Sequence, residues 1–170
     1  MKRYIKSAVT PLSDESYEVK RSIINDDSAL LSDLLSLLHD KDPSIRIATS
    51  IRLEKLASTN SNDRILKTII DIKDFALCYD VIDNPNASSE VLDYLCDTFL
   101  HKVNSTDMRP DAIGMILWEI TQHRNTSIET LQLLTDINLA DVPVNKSWVN
   151  INTDITKAAK EALIDRGYDI

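Results

Sequence analysis

The sequence predicts an all-α fold: a right-handed helical-repeat solenoid of about nine helices, with residues 1–170 forming one domain. Three observations carry this. Glycine is scarce, only Gly114 and Gly167, whereas tight hairpins usually draw on glycine at positive φ. Apolar residues recur at helical spacing, as in Leu77, Cys78, Val81 and Ile82. The chain also repeats itself. Shifted by 39 residues, Asp74–Asp97 overlies Ile113–Asp136 without a gap. Leu77, Cys78 and Val81 then meet Ile116, Leu117 and Ile120, while Tyr79 meets Trp118 and Asp80 meets Glu119. Asn86, Ser88, Glu90 and Leu92 meet Asn125, Ser127, Glu129 and Leu131, so the match preserves chemistry as well as hydropathy. A looser shift of 26 residues puts Asn60, Ile65, Leu66 and Ile69 on Asn86, Val91, Leu92 and Leu95.

In chain order the predicted helices span 15–25, 28–39, 43–58, 63–72, 74–83, 88–101, 110–122, 127–138 and 153–166. The first presents Ser16, Glu18, Lys20 and Arg21, a polar face suited to the end of a stack. The third opens at Asp42-Pro43, a cap followed by proline at the first helical position. Asn84-Pro85-Asn86 closes the fifth and opens the sixth. Thr126-Ser127-Ile128-Glu129 has the form of a capping box, with Glu129 returning to the cap amide. Residues 139–152, with Val142-Pro143-Val144 and Trp148, read as a long ordered loop. Gly167 is the expected C-cap of the last helix, whose Asp154, Lys157, Lys160, Glu161 and Asp165 make it polar.

The string NPNASSEVLDYL at 84–95 resembles the core of leucine-rich repeat variant units. Those units open with Asn-Pro and set leucine pairs on the helix that follows. SYEVKRSII at 16–24, PSIRIATSI at 43–51 and DITKAAKEALIDRG at 154–167 resemble helices of HEAT-like and variant repeats. Arg124 stands where Pro85 would recur, and unit lengths vary. The resemblance implies an architecture; these families share no single activity, so it transfers no functional residue.

A formal charge of −8 opposes general nucleic-acid binding, which needs clustered cations, and it suits a basic protein partner. No apolar run reaches membrane-spanning length and none follows Met1-Lys2-Arg3, so a cytoplasmic protein is expected, and the polar outer faces of the first and last helices suit a monomer. Cys78 and Cys96 lack disulfide-framework or zinc spacing. Cys78 is expected as a small buried hydrophobe, and Cys96, opposite Thr135, nearer the surface. His39, His101 and His123 show no ligand spacing, and His123 replaces Asn84 as a polar turn residue. No phosphate loop or dinucleotide fingerprint is present, so neither cofactor, metal nor catalytic residue is assigned.

The candidate partner-binding residues are Tyr79, Asp80, Trp118, Glu119 and Trp148. Tyr79 and Trp118 sit about 100° round the helix from the core positions Cys78 and Leu117. Edge-of-core packing is the plain expectation for both. The alternative is a pair of aromatic edges on a ridge ringed by Asp80 and Glu119, suited to a Lys/Arg-bearing partner. Acidic pairs such as Asp80/Glu119, Glu90/Glu129 and Asp97/Asp136 would then form ladders, or simply a solvated face and helix N-terminal charge. The expected function is a non-catalytic protein-interaction module: an adaptor, inhibitor or immunity-type partner. A HEAT-like DNA-modifying enzyme and a structural subunit of an assembly are the alternatives. A positive concave face would favour that enzyme and a negative one would oppose it.

Overall fold

The computed structural model describes residues 12–102, 110–137 and 149–170. Among these residues are nine α-helices and no strand, so the all-α expectation holds. The chain divides into two compact units, Met1–Leu53 and Glu54–Ile170.

The first unit holds a 3-10 turn (Leu12–Asp14), α1 (Tyr17–Asn25), α2 (Leu31–Leu37) and the start of α3 (Pro43–Thr59). Ser16 caps α1 by accepting the Val19 amide at 3.3 Å. Asp42 caps α3 as its pairing with Pro43 predicts, accepting the Ser44 amide at 2.8 Å. Ile24, Leu34, Leu37, Ile45 and Leu53 are buried. Lys20 departs from expectation: it is not on the polar outer face of α1 but only 3% exposed. Its ammonium lies 2.7 Å from the Asp40 carboxylate and donates to the Ser13 carbonyl at 2.9 Å. Asp40 also accepts the Asp42 amide at 2.8 Å, so the buried charges are paired and hydrogen-bonded.

The second unit comprises the end of α3, then α4 (Asp63–Ile70), α5 (Phe75–Asp83), α6 (Ser89–Asp97), α7 (Pro110–Gln122), α8 (Ile128–Thr135) and α9 (Val149–Asp165). A π-type turn, Thr98–Lys102, extends α6. The predicted helix 110–122 matches α7 end to end. The last helix begins at Val149, so residues 149–152 are helical where a loop is expected; 138–148 lie outside the described residues. Helices pack on their neighbours: α4 on α5 and α6, α7 on α5 and α9, α8 on α9. Leu66, Ile69, Cys78, Val81, Leu92, Leu95, Ile116, Leu117, Ile120 and Leu131 form the core. Both members of the aligned pairs Cys78/Leu117, Val81/Ile120 and Leu92/Leu131 are fully buried. Cys96 is buried too, at 1% exposure, because it follows Leu95 on the inward side of α6.

Successive turns are bonded to one another. Asn84 is fully buried, and its amide donates to the Ala57 and Asn60 carbonyls at 2.8 and 2.7 Å. Its Oδ1 accepts the Asn86 amide at 2.9 Å. One unit on, His123 copies this arrangement in imidazole. Nδ1 accepts the Asn125 amide at 3.1 Å, which leaves Nε2–H to donate to the Asn84 carbonyl at 3.2 Å. Asn125 adds a bond to the Ala87 carbonyl, and Arg166 reaches back to the carbonyls of His123, Arg124 and Thr126. The second helix of each neighbouring pair, α4, α6 and α8, is linked the same way. Ser88 and Ser127 cap α6 and α8 by accepting the Val91 and Thr130 amides. Their hydroxyls donate to Asp63 and Asp93, on the preceding second helices. The cap of α8 is thus Ser127, one residue later than a capping box on Thr126 requires; the Thr126 hydroxyl is buried and donates to the Ile120 carbonyl. Gly167 closes α9 at φ +84°. The Tyr168 amide donates to the Leu163 carbonyl and the Gly167 amide to that of Ile164, the Schellman pattern.

Candidate functional site

The 39-residue repeat places Tyr79 on α5 and Trp118 and Glu119 on adjoining α7. They do not line up as like with like. Tyr79 reaches Glu119, its phenol donating to Oε1 at 2.6 Å. This bond steps one residue off the 39-residue match, which the turn bonds of His123 to Asn84 and Arg124 to Pro85 keep, and it joins a phenol to a carboxylate. Tyr79 is half-buried against Phe75, ring centres 5.9 Å apart, which is edge-of-core packing. Its hydrogen bond to Glu119, then burial, raises the phenol from an ordinary 10.0 to about 12. A raised value stabilises the fold below pH 10, and that contribution is lost as pH climbs toward about 12. Alkaline titration of phenolate absorbance should therefore show a late tyrosine that is missing from Tyr79→Phe. If the wild type and the variant differ by a tyrosine titrating at the ordinary value, the bond is absent in solution.

Trp118 goes the other way. It is 38% exposed, beside Met115 at 47%. Both border a groove of about 480 Å³ between α7 and α9. From α7 it takes Gly114, Met115, Trp118, Glu119 and Gln122, one helical stripe. From α9 it takes Asp154, Lys157, Ala158 and Glu161, a second stripe. Gly114 and Ala158 are small and buried, which leaves the space open. Among the described lining residues, Glu119, Asp154 and Glu161 are acidic and Lys157 is the cation; its ammonium lies 3.7 Å from Glu161 with both side chains largely exposed. A second, shallower hollow of about 400 Å³ shares Glu119 and Gln122 and adds Asp83, His123 and Arg124.

Of the five expected residues, Trp118 and Glu119 line the groove and Tyr79 fixes Glu119 from behind. Asp80 does not line it. It is half-buried on α5, and burial, then the nearby charges of Glu54, Asp83 and Asp74, push its carboxyl up. Trp148 lies outside the described residues. Met115 carries no signal in the sequence, and Asp154 and Glu161 read there only as the polar face of the last helix, because the α9 residues fall outside the 39-residue match, which ends at Asp136.

Much of the remaining acidity has structural uses. Asp74 caps α5, Asp71 accepts the Tyr94 phenol, Glu90 pairs with Lys67 at 3.2 Å, and Asp93 takes the Ser127 and Thr130 hydroxyls. Burial pushes both thiols up to about 12, so Cys78 and Cys96 are not nucleophiles near neutrality. Among the described residues no cluster of His, Cys, Asp and Glu is arranged to hold a metal ion, and no helix is long and apolar enough to cross a membrane. Comparison with family models, with curated proteins and with solved structures finds no match.

Proposed function

We propose that this chain is a protein-interaction module that acts in the cytoplasm as an adaptor, inhibitor or neutralising partner. Its helices are read as HEAT-like or leucine-rich repeat variant units in a right-handed solenoid. The turn-to-turn bonds of Asn84 and His123 support a repeat, because they recur at equivalent positions. One observation carries the binding role: a tryptophan 38% exposed in a groove rimmed by Glu119, Asp154 and Glu161. Exposed aromatics amid charge of one sign suit recognition of a partner of opposite sign, with the aromatic supplying most of the affinity. The same sign opposes the DNA-modifying reading, since among the described lining residues a phosphate backbone would meet the carboxylates of Glu119, Asp154 and Glu161 against the ammonium of Lys157.

The test is affinity capture from host lysate at low and moderate salt. A stoichiometric basic partner is expected, its affinity falling as salt rises. Affinity that is flat or increasing with salt would rule out the electrostatic account.

A second reading, a subunit of an assembly, draws on Ile164, Tyr168 and Ile170, which are 59%, 45% and 63% exposed. Sedimentation over a hundredfold concentration range separates the two: a constant monomer mass favours the module, and a rising mass favours the assembly.

A further inference from the structure

Building on the acidic-groove reading, we infer that the α7–α9 groove seats an arginine side chain from a partner's amphipathic helix, its guanidinium stacked on Trp118 and bonded to Glu119 and Glu161. Gly114 and Gln122 are eight helical steps apart, so the groove runs about 12 Å, the length of two turns of a docked helix. Two parallel stripes of side chains over a floor of Gly114 and Ala158 make a trough, and an amphipathic helix lies along such a trough. Its volume of about 480 Å³ holds one long side chain and the aliphatic neighbour a turn away. Met115, unbranched and exposed, suits that aliphatic neighbour.

The choice of arginine rests on three features. The indole of Trp118 is 38% exposed in the groove, and an aromatic ring favours a planar, stackable guanidinium over a strongly hydrated ammonium. Glu119 is held by Tyr79 at Oε1, so its carboxylate is already oriented as an acceptor before a partner arrives. Lys157 already supplies an ammonium to Glu161, at 3.7 Å and largely exposed, a weak contact that an incoming fork of donors can replace. Lys157 is then a built-in competitor for the seat.

The experiment uses the full chain, labelled with nitrogen-15, and a capped alanine-based helical peptide carrying one arginine and a leucine four residues on. Two control peptides carry lysine or norleucine in place of the arginine. The two tryptophan indole signals are assigned with Trp148→Phe. Expected is a Trp118 indole shift that saturates with the arginine peptide, about fivefold tighter than with lysine, and none with norleucine. Lys157→Ala should tighten the arginine peptide, and Trp118→Leu should erase the preference for arginine over lysine. Equal affinity for the arginine and lysine peptides would overturn the arginine seat and leave the acidic docking surface standing. No Trp118 shift with any peptide, while a basic partner is still retained in a salt-dependent way, would overturn the seat and move the interface elsewhere. No peptide and no partner bound would sink both.

Discussion

Lys20→Ala is expected to cost about 3–5 kcal/mol in urea or thermal unfolding of the Met1–Leu53 unit, the largest effect of any single change considered. The loss comes from leaving the Asp40 carboxylate buried without its ammonium, and the Ser13 carbonyl without its donor. Lys20→Met/Asp40→Asn should recover at least half of that. Asparagine keeps the oxygen that accepts the Asp42 amide, and methionine fills the volume without a charge. Acid gives a second handle. The hydrogen bond from Lys20, then that from the Asp42 amide, holds the Asp40 carboxyl below its ordinary 3.8. A depressed value means the pair's stabilisation is complete above pH 3.8 and disappears as pH falls through the lowered one. The gap between wild type and Asp40→Asn should therefore close in strong acid. A Lys20→Ala cost below about 1 kcal/mol would mean the pair is solvated.

Asn84→Ala is expected to cost about 3 kcal/mol in the Glu54–Ile170 unit. It strands the Ala57 and Asn60 carbonyls and the Asn86 amide, around a side chain with no exposure. Asn84→Asp should be as damaging or worse, since it points a carboxylate at two carbonyl oxygens. His123→Asn is the control. Asparagine offers the same acceptor and donor pair that His123 uses toward Asn125 and Asn84, so the cost should stay within about 1 kcal/mol. Hydrogen exchange of the Asn86 and Asn125 amides reads out each turn separately. Equal losses for Asn84→Ala and His123→Asn would refute the equivalence of the two turns.

What the sequence made legible is the part governed by local chemistry. Asp42-Pro43, Gly167 and the run 110–122 are boundaries written in cap and breaker residues, and the structure places them as read. The 39-residue repeat identified Tyr79, Trp118 and Glu119 as a related set. It did not show that Tyr79 crosses the register by one residue to bond Glu119, because alignment pairs like positions while side chains lean along their helices. The type of Lys20 suggests a surface residue; its burial depends on Asp40, twenty residues on in the loop before α3. The polar sister Thr135 points to a more exposed Cys96, yet helix geometry keeps both the 95 and 96 positions of α6 inward. The groove's other wall, α9, has no counterpart within the repeat, so Asp154 and Glu161 read as a polar end face and not as part of a site.

The most direct test of the recognition claim is to measure, on Trp118→Ala, both its melting temperature and its affinity for the captured basic partner. Trp118 is an edge residue with more than a third of its surface exposed. The account predicts a fall in affinity of at least tenfold, about 1.4 kcal/mol or more, with melting lowered by only a few degrees. Unchanged affinity with a large drop in melting would make Trp118 a core residue and contradict the account.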